Sequence, residues 1–549
     1  MSTGLRPTRC AKLRVGILAI SMLFSLNACH LFKPVKEPGT GVGPKIIVDM
    51  AGSRPLSPLI FGFGTYMHES RDQAEVWTQR PTLYRWGGNS AERYNWRLDA
   101  TNAGNDYFYL NHGFAGPGNI VDAFIAENKH HGVASAVVLP LLGWVAKDQS
   151  SASYPKRLFP DQEQFETNGK SIGNGFSKDK KPLLASPEQT SVRAGPAFIA
   201  AWVNHLKSEF GDYPHLYILG NEPMLWGETH RDVHPKPTTY DEYLEVYLSA
   251  AVAVRRADPA AVIIGPGDWG WLAVFKSQYD LGKNAGGVKD KDRQAHGGKP
   301  FLEWFLTAVK KREDELHVSL LDVLDMHYYP SDLDLYKDEA FNPERARERI
   351  AATRSLWDRK HKETGWINEE TYFIPLLKSI IARTKPSLKL GIGEYSFKGE
   401  QDIGGAIALA EVLRIFIDQN IYMAEYWTEP PARSPAAAAF RLYRNYDGKG
   451  HAFGDTYVAT TSSNTGDVTV VAAKADEHRL TVVMINKSMT EHQRATLAID
   501  HLRPYVRKVT AYKLGSKNPG ELEVEAMPAA REQEMVLPPL SARLIEFIW

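Results

Sequence analysis

Two glutamates in this chain stand where apolar runs break off, and together they could cut a glycosidic bond. Leu216-Tyr217-Ile218-Leu219 stops at Gly220-Asn221-Glu222-Pro223, and Leu388-Lys389-Leu390-Gly391-Ile392-Gly393 leads straight into Glu394-Tyr395. A short apolar run closed by glycine and a carboxylate is how a buried parallel strand delivers an acid to the rim of a sheet or barrel. Glycosidases need two such acids, one to protonate the departing oxygen and one to act on the anomeric carbon, about 5–5.5 Å apart when configuration is retained. The two tasks demand different surroundings. A proton donor is kept protonated by burial and a neighbouring negative charge, whereas a nucleophile is kept ionised by hydrogen bonds from nearby Arg or Tyr. Arg85 and Tyr328 are candidate donors to whichever of the two glutamates serves as nucleophile.

Around this pair the sequence offers polar and aromatic groups that a sugar would engage. Asn221 and Asn89 are candidate hydroxyl contacts, as are His230 and His327. Trp86, Trp226, Trp269, Trp271, Tyr328, Tyr329 and Trp427 all fall at or just past the ends of apolar runs, where rings could stack on sugar faces. His230 and His234 have the i, i+4 spacing of helical zinc ligands. Pro235 and Pro237 follow at once and no H-E-x-x-H is present, so a cleft-lining loop is the better reading and no metal site is expected.

These residues need a scaffold that brings distant strand ends together. Eight apolar runs carry them: Ile60–Phe63, Leu83–Trp86, Ala134–Leu142, Leu216–Leu219, Ala261–Gly265, Leu321–His327, Leu388–Glu394 and Met423–Trp427. Segments of helical spacing lie between most of them, among them Ala197–Phe210, Tyr240–Arg256 and Ile403–Asp418. That alternation predicts an α/β fold, a (β/α)8 TIM barrel over 58–435, with chemistry at the carboxyl ends of the strands. Glu222 on the fourth strand and Glu394 on the seventh could then face each other across the mouth. An open doubly wound sheet would separate them, and no glycine-rich phosphate turn follows the first strand to favour it. Over 436–549 the runs become short, apolar and turn-bounded, as in an all-β sandwich. The run Lys45–Met50 has no barrel partner, so residues 45–57 are expected to add an N-terminal strand to that sandwich.

Composition narrows the partners. Lys+Arg 65 balances Asp+Glu 65, which gives no electrostatic reason to bind nucleic acid, and aromatics reach 11%. Arg6, Arg9, Lys12 and Arg14 precede the apolar run Val15 to Leu26, the layout of an export signal over 1–29. It closes with Leu26-Asn27-Ala28-Cys29, which resembles a bacterial lipoprotein box with Cys29 as the lipidated residue. Cys10 would be lost with the signal, so the exported chain is expected to have no disulfide. Residues 30–44 read as a flexible tether to the membrane. His30 in place of an aspartate after Cys29 favours the outer membrane, with the protein in the periplasm or at the cell surface.

With those residues in hand, the chain resembles glycoside hydrolase family 44, bacterial endoglucanases and xyloglucanases. The resemblance rests on Arg85-Trp86-Gly87-Gly88-Asn89, Arg93-Tyr94-Asn95-Trp96, Asn221-Glu222-Pro223 and Leu225-Trp226. It continues through Thr229-His230-Arg231-Asp232-Val233-His234-Pro235, Trp269-Gly270-Trp271, His327-Tyr328-Tyr329-Pro330, Glu394-Tyr395 and Leu442-Tyr443-Arg444-Asn445-Tyr446-Asp447-Gly448. It implies endo-cleavage of β-1,4-glucan backbones (cellulose-like glucan or xyloglucan) with retention, Glu222 as acid/base, Glu394 as nucleophile and a monomer. It also implies that no cofactor is required, while admitting a structural calcium that nothing in the sequence locates. Gly393 and Ser396 stand where the family pattern has Thr and Asn. Two other readings keep part of this picture: an exo-acting glycosidase such as an arabinofuranosidase, and a surface lipoprotein that binds glucan without cutting it.

Overall fold

A computed structural model describes residues 43–65, 73–114, 118–211, 213, 215–282, 289–331, 341–502 and 505–549. The signal region 1–29, Cys29 and nearly all of the tether lie outside the described residues. Among those described, no helix is long and apolar enough to cross a membrane.

Eight parallel strands close into a barrel in chain order: Gly62–Thr65, Leu83–Trp86, Ala134–Leu139, Leu216–Leu219, Val262–Trp269, Val323–Tyr328, Lys389–Tyr395 and Met423–Tyr426. Closure is direct, because Glu425 and Tyr426 on the last strand pair with Gly62 and Phe63 on the first. This excludes the open doubly wound sheet. The strands are buried almost throughout, as the apolar runs require. Leu216–Leu219 has all four residues buried, and Val323–Tyr328 all six. Helices cover the outside and are started by side-chain caps: Asn119 accepts from Val121 and Asp122, Thr239 from Glu242, and Asp402 from Gly405.

The second layer is a nine-stranded sheet that folds over its own core as a β-sandwich. Lys45–Pro55 lies inside it, antiparallel to Thr456–Ser462 and parallel to Gln493–Asp500. Ile46 and Val48 pack in one cluster with Leu480, Leu497, Ala511 and Phe547 from four other strands. The helix Ile403–Asp418 joins the two bodies and is buried on every side, with only its last residue, Asp418, exposed. A helix apolar all round belongs inside a core. Its one buried acid is paired: Glu411 meets Arg414 at 3.0 Å, Lys487 at 3.3 Å and the Thr469 hydroxyl at 2.6 Å. Left unpaired, a charge so buried would cost several kcal/mol or more.

Two short antiparallel strand pairs, Ala100–Asn102 with Asn111–Gly113 and Trp144–Ala146 with Ser191–Arg193, lie on the connections after the second and third barrel strands. Three-residue strands carry too little periodicity to be read in advance, and the sequence reading treats both regions as barrel connections.

Candidate active site

Barrel closure puts the ends of the fourth and seventh strands face to face. Carboxyl oxygens of Glu222 and Glu394 and the Nδ1 atom of His327 all lie within 4.8 Å of one another. His327 Nδ1 is 2.9 Å from Glu222 Oε1 and 3.5 Å from Glu394 Oε2. Arg85 Nη1 donates to Glu394 Oε1 at 2.5 Å, and the hydroxyl of Tyr329 donates to Glu394 Oε2 at 2.8 Å. The other Arg85 amino group donates to Asn221 Oδ1 at 2.7 Å. Asn221 in turn donates to Asn89 Oδ1 at 3.1 Å, and Asn89 to Asp106 at 3.2 Å.

The same burial acts on the two carboxyls with opposite net results. For Glu222, loss of hydration together with the negative Glu394 raises the pKa, although His327 and Arg85 pull the other way. For Glu394, burial also pushes upward, but the charges of His327 and Arg85 and the hydrogen bonds from Arg85 and Tyr329 outweigh it, and the pKa falls. His327 itself is raised: burial disfavours its charge, but the two carboxylates more than compensate. The two carboxyls are thus shifted in opposite directions, one toward keeping a proton and the other toward losing it.

Glu222 is placed by an unusual backbone. It sits in the left-handed region at φ 45°, ψ 57°, a conformation that costs a non-glycine residue about 1–3 kcal/mol. Its N–H donates to the Gly267 carbonyl at 2.8 Å, and its own carbonyl accepts from Leu225 at 2.9 Å. Gly267 is free to accept because the fifth strand slips register between Pro266 and Asp268. A bulge next to an active site commonly re-aims a group in this way.

Several residues expected to meet sugar lie beneath the floor of the site. Trp86 packs against Tyr94 and Trp202, with 1% of its surface exposed. Trp226 is equally buried, packs on His234 and Tyr243, and donates from its indole to the Asn221 carbonyl at 3.1 Å. Trp271 is buried with its indole N–H on Glu369, and the His230 ring is walled in, with Nδ1 beside Gly104. None of these four presents a face to a ligand, so their assignment as sugar contacts is corrected to support of the residues above them. Tyr328 is corrected too: its hydroxyl donates to Glu363 on the far side of the strand, and Tyr329 takes the place expected for it. Adjacent residues of an extended chain point to opposite faces, so a shift of one residue exchanges core for cleft.

Trp269, Trp427 and Asn89 stay partly open, while Arg85 and His327 are buried but touch the carboxyls. Trp269 stacks on Trp366, 5.6 Å between centroids at 29°, and Trp366 is 58% exposed. The Arg85 guanidinium lies 5.5 Å from the Trp427 ring. That ring has room only because Gly64 and Gly88 carry no side chain: a Cβ there would fall 2.4 Å and 2.9 Å from it. Sequence reasoning passed over Trp366, Asp106 and Glu92, which sit on connections with no strand-end signal. Among the described residues, the only three-donor group close enough to hold a metal is Glu222, His327 and Glu394. An imidazole and a carboxylate already held by Arg85 suit calcium poorly, since it takes six to eight oxygens, so this group does not locate the calcium that the resemblance admits.

A model of glycoside hydrolase family 44 matches residues 100–332. The crystal structure of CelM2, a bifunctional glucanase-xylanase from a metagenome library, is 30% identical, with a TM-score of 0.85 over 93% of this chain and all of that one. The chain belongs to glycoside hydrolase family 44. A family 44 xyloglucanase from Paenibacillus polymyxa aligns at 26% identity and a TM-score of 0.75, over 92% of this chain and 100% of its own. Two curated relatives are longer. A beta-mannanase/endoglucanase A from Caldicellulosiruptor saccharolyticus is 29% identical over 85% of this chain, and an endoglucanase A from Paenibacillus lautus is 29% identical over 82%. The chain spans 36% and 64% of their respective lengths. The family 44 assignment agrees with a closed eight-stranded barrel accompanied by a β-sandwich.

Proposed function

We propose that this protein is a retaining endo-β-1,4-glucanase acting on cellulose-like glucan or xyloglucan. The observation that carries the reading is the pair Glu222 and Glu394, with oxygens within 4.8 Å and opposite protonation preferences. Retaining enzymes hold their carboxyls about 5–5.5 Å apart, and inverting ones about 6.5–9.5 Å to admit a water between them. The close spacing favours direct attack by Glu394.

In the first step a Glu394 oxygen bonds to the anomeric carbon as the bond to the leaving oxygen breaks, and Glu222 gives its proton to that oxygen. In the second, Glu222, now a carboxylate, takes a proton from water, the water oxygen bonds to the anomeric carbon, and Glu394 is released. Both oxygens of Glu394 are held, by Arg85 and by Tyr329, so the nucleophile is oriented before substrate arrives. Trp427 beside Arg85, and the Trp269–Trp366 stack with its exposed outer ring, offer ring faces to a sugar chain. Similarity to endoglucanases and a xyloglucanase supports internal cleavage over an exo-acting arabinofuranosidase, and the intact acid pair argues against a non-catalytic glucan binder.

The test is reducing-sugar release from carboxymethylcellulose and xyloglucan, with proton NMR of the first products. The β-anomer should appear first, from products of mixed length; initial α-anomer, or single sugars alone, would overturn the reading. Export and lipid attachment at Cys29 belong to the same proposal. They are checked by whether Cys29→Ala moves the protein from the membrane fraction to the soluble one.

A further inference from the structure

The backbone that carries Glu222 is gripped by an acid that takes no direct part in the reaction. Glu92, on the connection after the second barrel strand, is fully buried. One of its oxygens, Oε1, accepts the Asn221 N–H at 2.5 Å. The other, Oε2, accepts the N–H groups of Leu141 at 2.9 Å and Leu142 at 3.1 Å. The carboxyl thus ties the end of the fourth strand to the loop that leaves the third. Gly220, at φ 84°, makes room for it, since a Cβ there would lie 2.9 Å from Glu92 Oε1.

The remaining backbone groups at this corner are also committed. The Asn221 carbonyl accepts from Trp226, and Glu222 bonds through its N–H to Gly267 and through its carbonyl to Leu225. Of the four bonds that fix the Asn221-Glu222 turn, the one at the Asn221 N–H is the only one supplied by a side chain that bridges to another strand end. A left-handed glutamate persists only where its surroundings over-determine it.

We infer that Glu92 is a positioning residue for the proton donor: its carboxyl holds the Gly220-Asn221 turn so that Glu222 stays left-handed and aimed at the leaving oxygen. The inference rests on the reading of Glu222 as the acid. Acceptor chemistry sets what can replace Glu92. A carboxyl has about four lone-pair sites and only three are used here, so the grip survives protonation of Oε1. Glutamine keeps the shape but turns an amide N–H2 against one set of N–H donors.

A misaimed acid harms reactions that need protonation of the leaving group and spares those that do not. The measurement is kcat/KM for cello-oligosaccharides against 2,4-dinitrophenyl β-cellobioside, whose leaving group departs without a proton. General acid catalysis is worth about 10²–10⁴-fold, so partial misalignment in Glu92→Gln should cost roughly 10–100-fold on the oligosaccharides and less than about 3-fold on the aryl glycoside. Gly220→Ala, which pushes on the same carboxyl from the opposite side, should give the same split. Thermal unfolding of both variants identifies any that fails to fold. Equal losses on the two substrates in the folded variants, or no loss on either, would overturn the role of Glu92. Glu222→Gln serves as the control, because its failure to show the split would overturn the acid assignment itself.

Discussion

The imidazole of His327 stands 2.9 Å from the Glu222 carboxyl, close enough to share a hydrogen bond with the residue assigned as proton donor. It also lies 3.5 Å from Glu394, so a single ring from the sixth strand bears on both acids. With the pKa of His327 raised by its two neighbours, its positive charge depresses the pKa of each. Replacing it with glutamine removes that charge from both. Each carboxyl then titrates higher, so both limbs of the kcat/KM profile should move to higher pH. A pH series on wild type and His327→Gln checks this; movement of either limb to lower pH would contradict the electrostatic account.

Glu394 tests the nucleophile directly. Glu394→Gln keeps an oxygen for Tyr329 but cannot form the glycosyl ester, and it leaves the buried Arg85 charge without its partner. Turnover should fall by about 10⁴-fold or more, in line with the loss of a nucleophile in other covalent mechanisms. Circular dichroism should show the fold intact, so that the loss is assigned to chemistry.

How much of this was legible beforehand follows the strength of the local pattern. The barrel was readable because eight apolar runs alternate with helical spacing, and the two glutamates because each closes a run such as Leu216–Leu219. The ring assignments were not, because a tryptophan at a strand end has the same signature whether it faces the cleft or, like Trp86 and Trp226, the layer beneath. Trp366 and Glu92 escaped for another reason. They lie on connections whose paths are set by long-range contacts, such as Glu363 with Tyr328 and Ser331, which no local period encodes.

Tyr328 and Tyr329 show what one residue of register is worth. Tyr329→Phe removes a hydrogen bond to a charged oxygen of Glu394, an interaction worth about 1.5–3 kcal/mol. That translates into a fall in kcat/KM of roughly 10–150-fold with little change in melting temperature. Tyr328→Phe instead takes a donor from Glu363, which among the described residues keeps the Ser331 N–H and the Thr371 hydroxyl. It should cost about 1–3 kcal/mol of stability and leave kcat/KM near wild type. Kinetics and thermal melts on both variants separate the two roles, and a large kinetic loss in Tyr328→Phe would contradict the assignment.

Stability should depend on pH in a direction unusual for carboxylates. Burial pushes Asp268 up to about 7 and Glu92 up to about 7, from ordinary values near 4. Between those ordinary values and about 7, the folded protein holds two protons that the unfolded chain releases. The unfolded state binds fewer protons there, so folding stability falls as pH rises through this window and levels off above it. Each group contributes a slope approaching about 1.4 kcal/mol per pH unit. The melting temperature should therefore drop between pH 5.5 and pH 7.5. Asp268→Asn keeps the Oδ1 acceptor for the Trp269 N–H at 2.9 Å but carries no charge, so it should flatten the slope and raise the melting temperature most at the alkaline end. A melting temperature that rises with pH across this window, in either protein, would show that these acids are ionised in the fold and held by partners stronger than their burial.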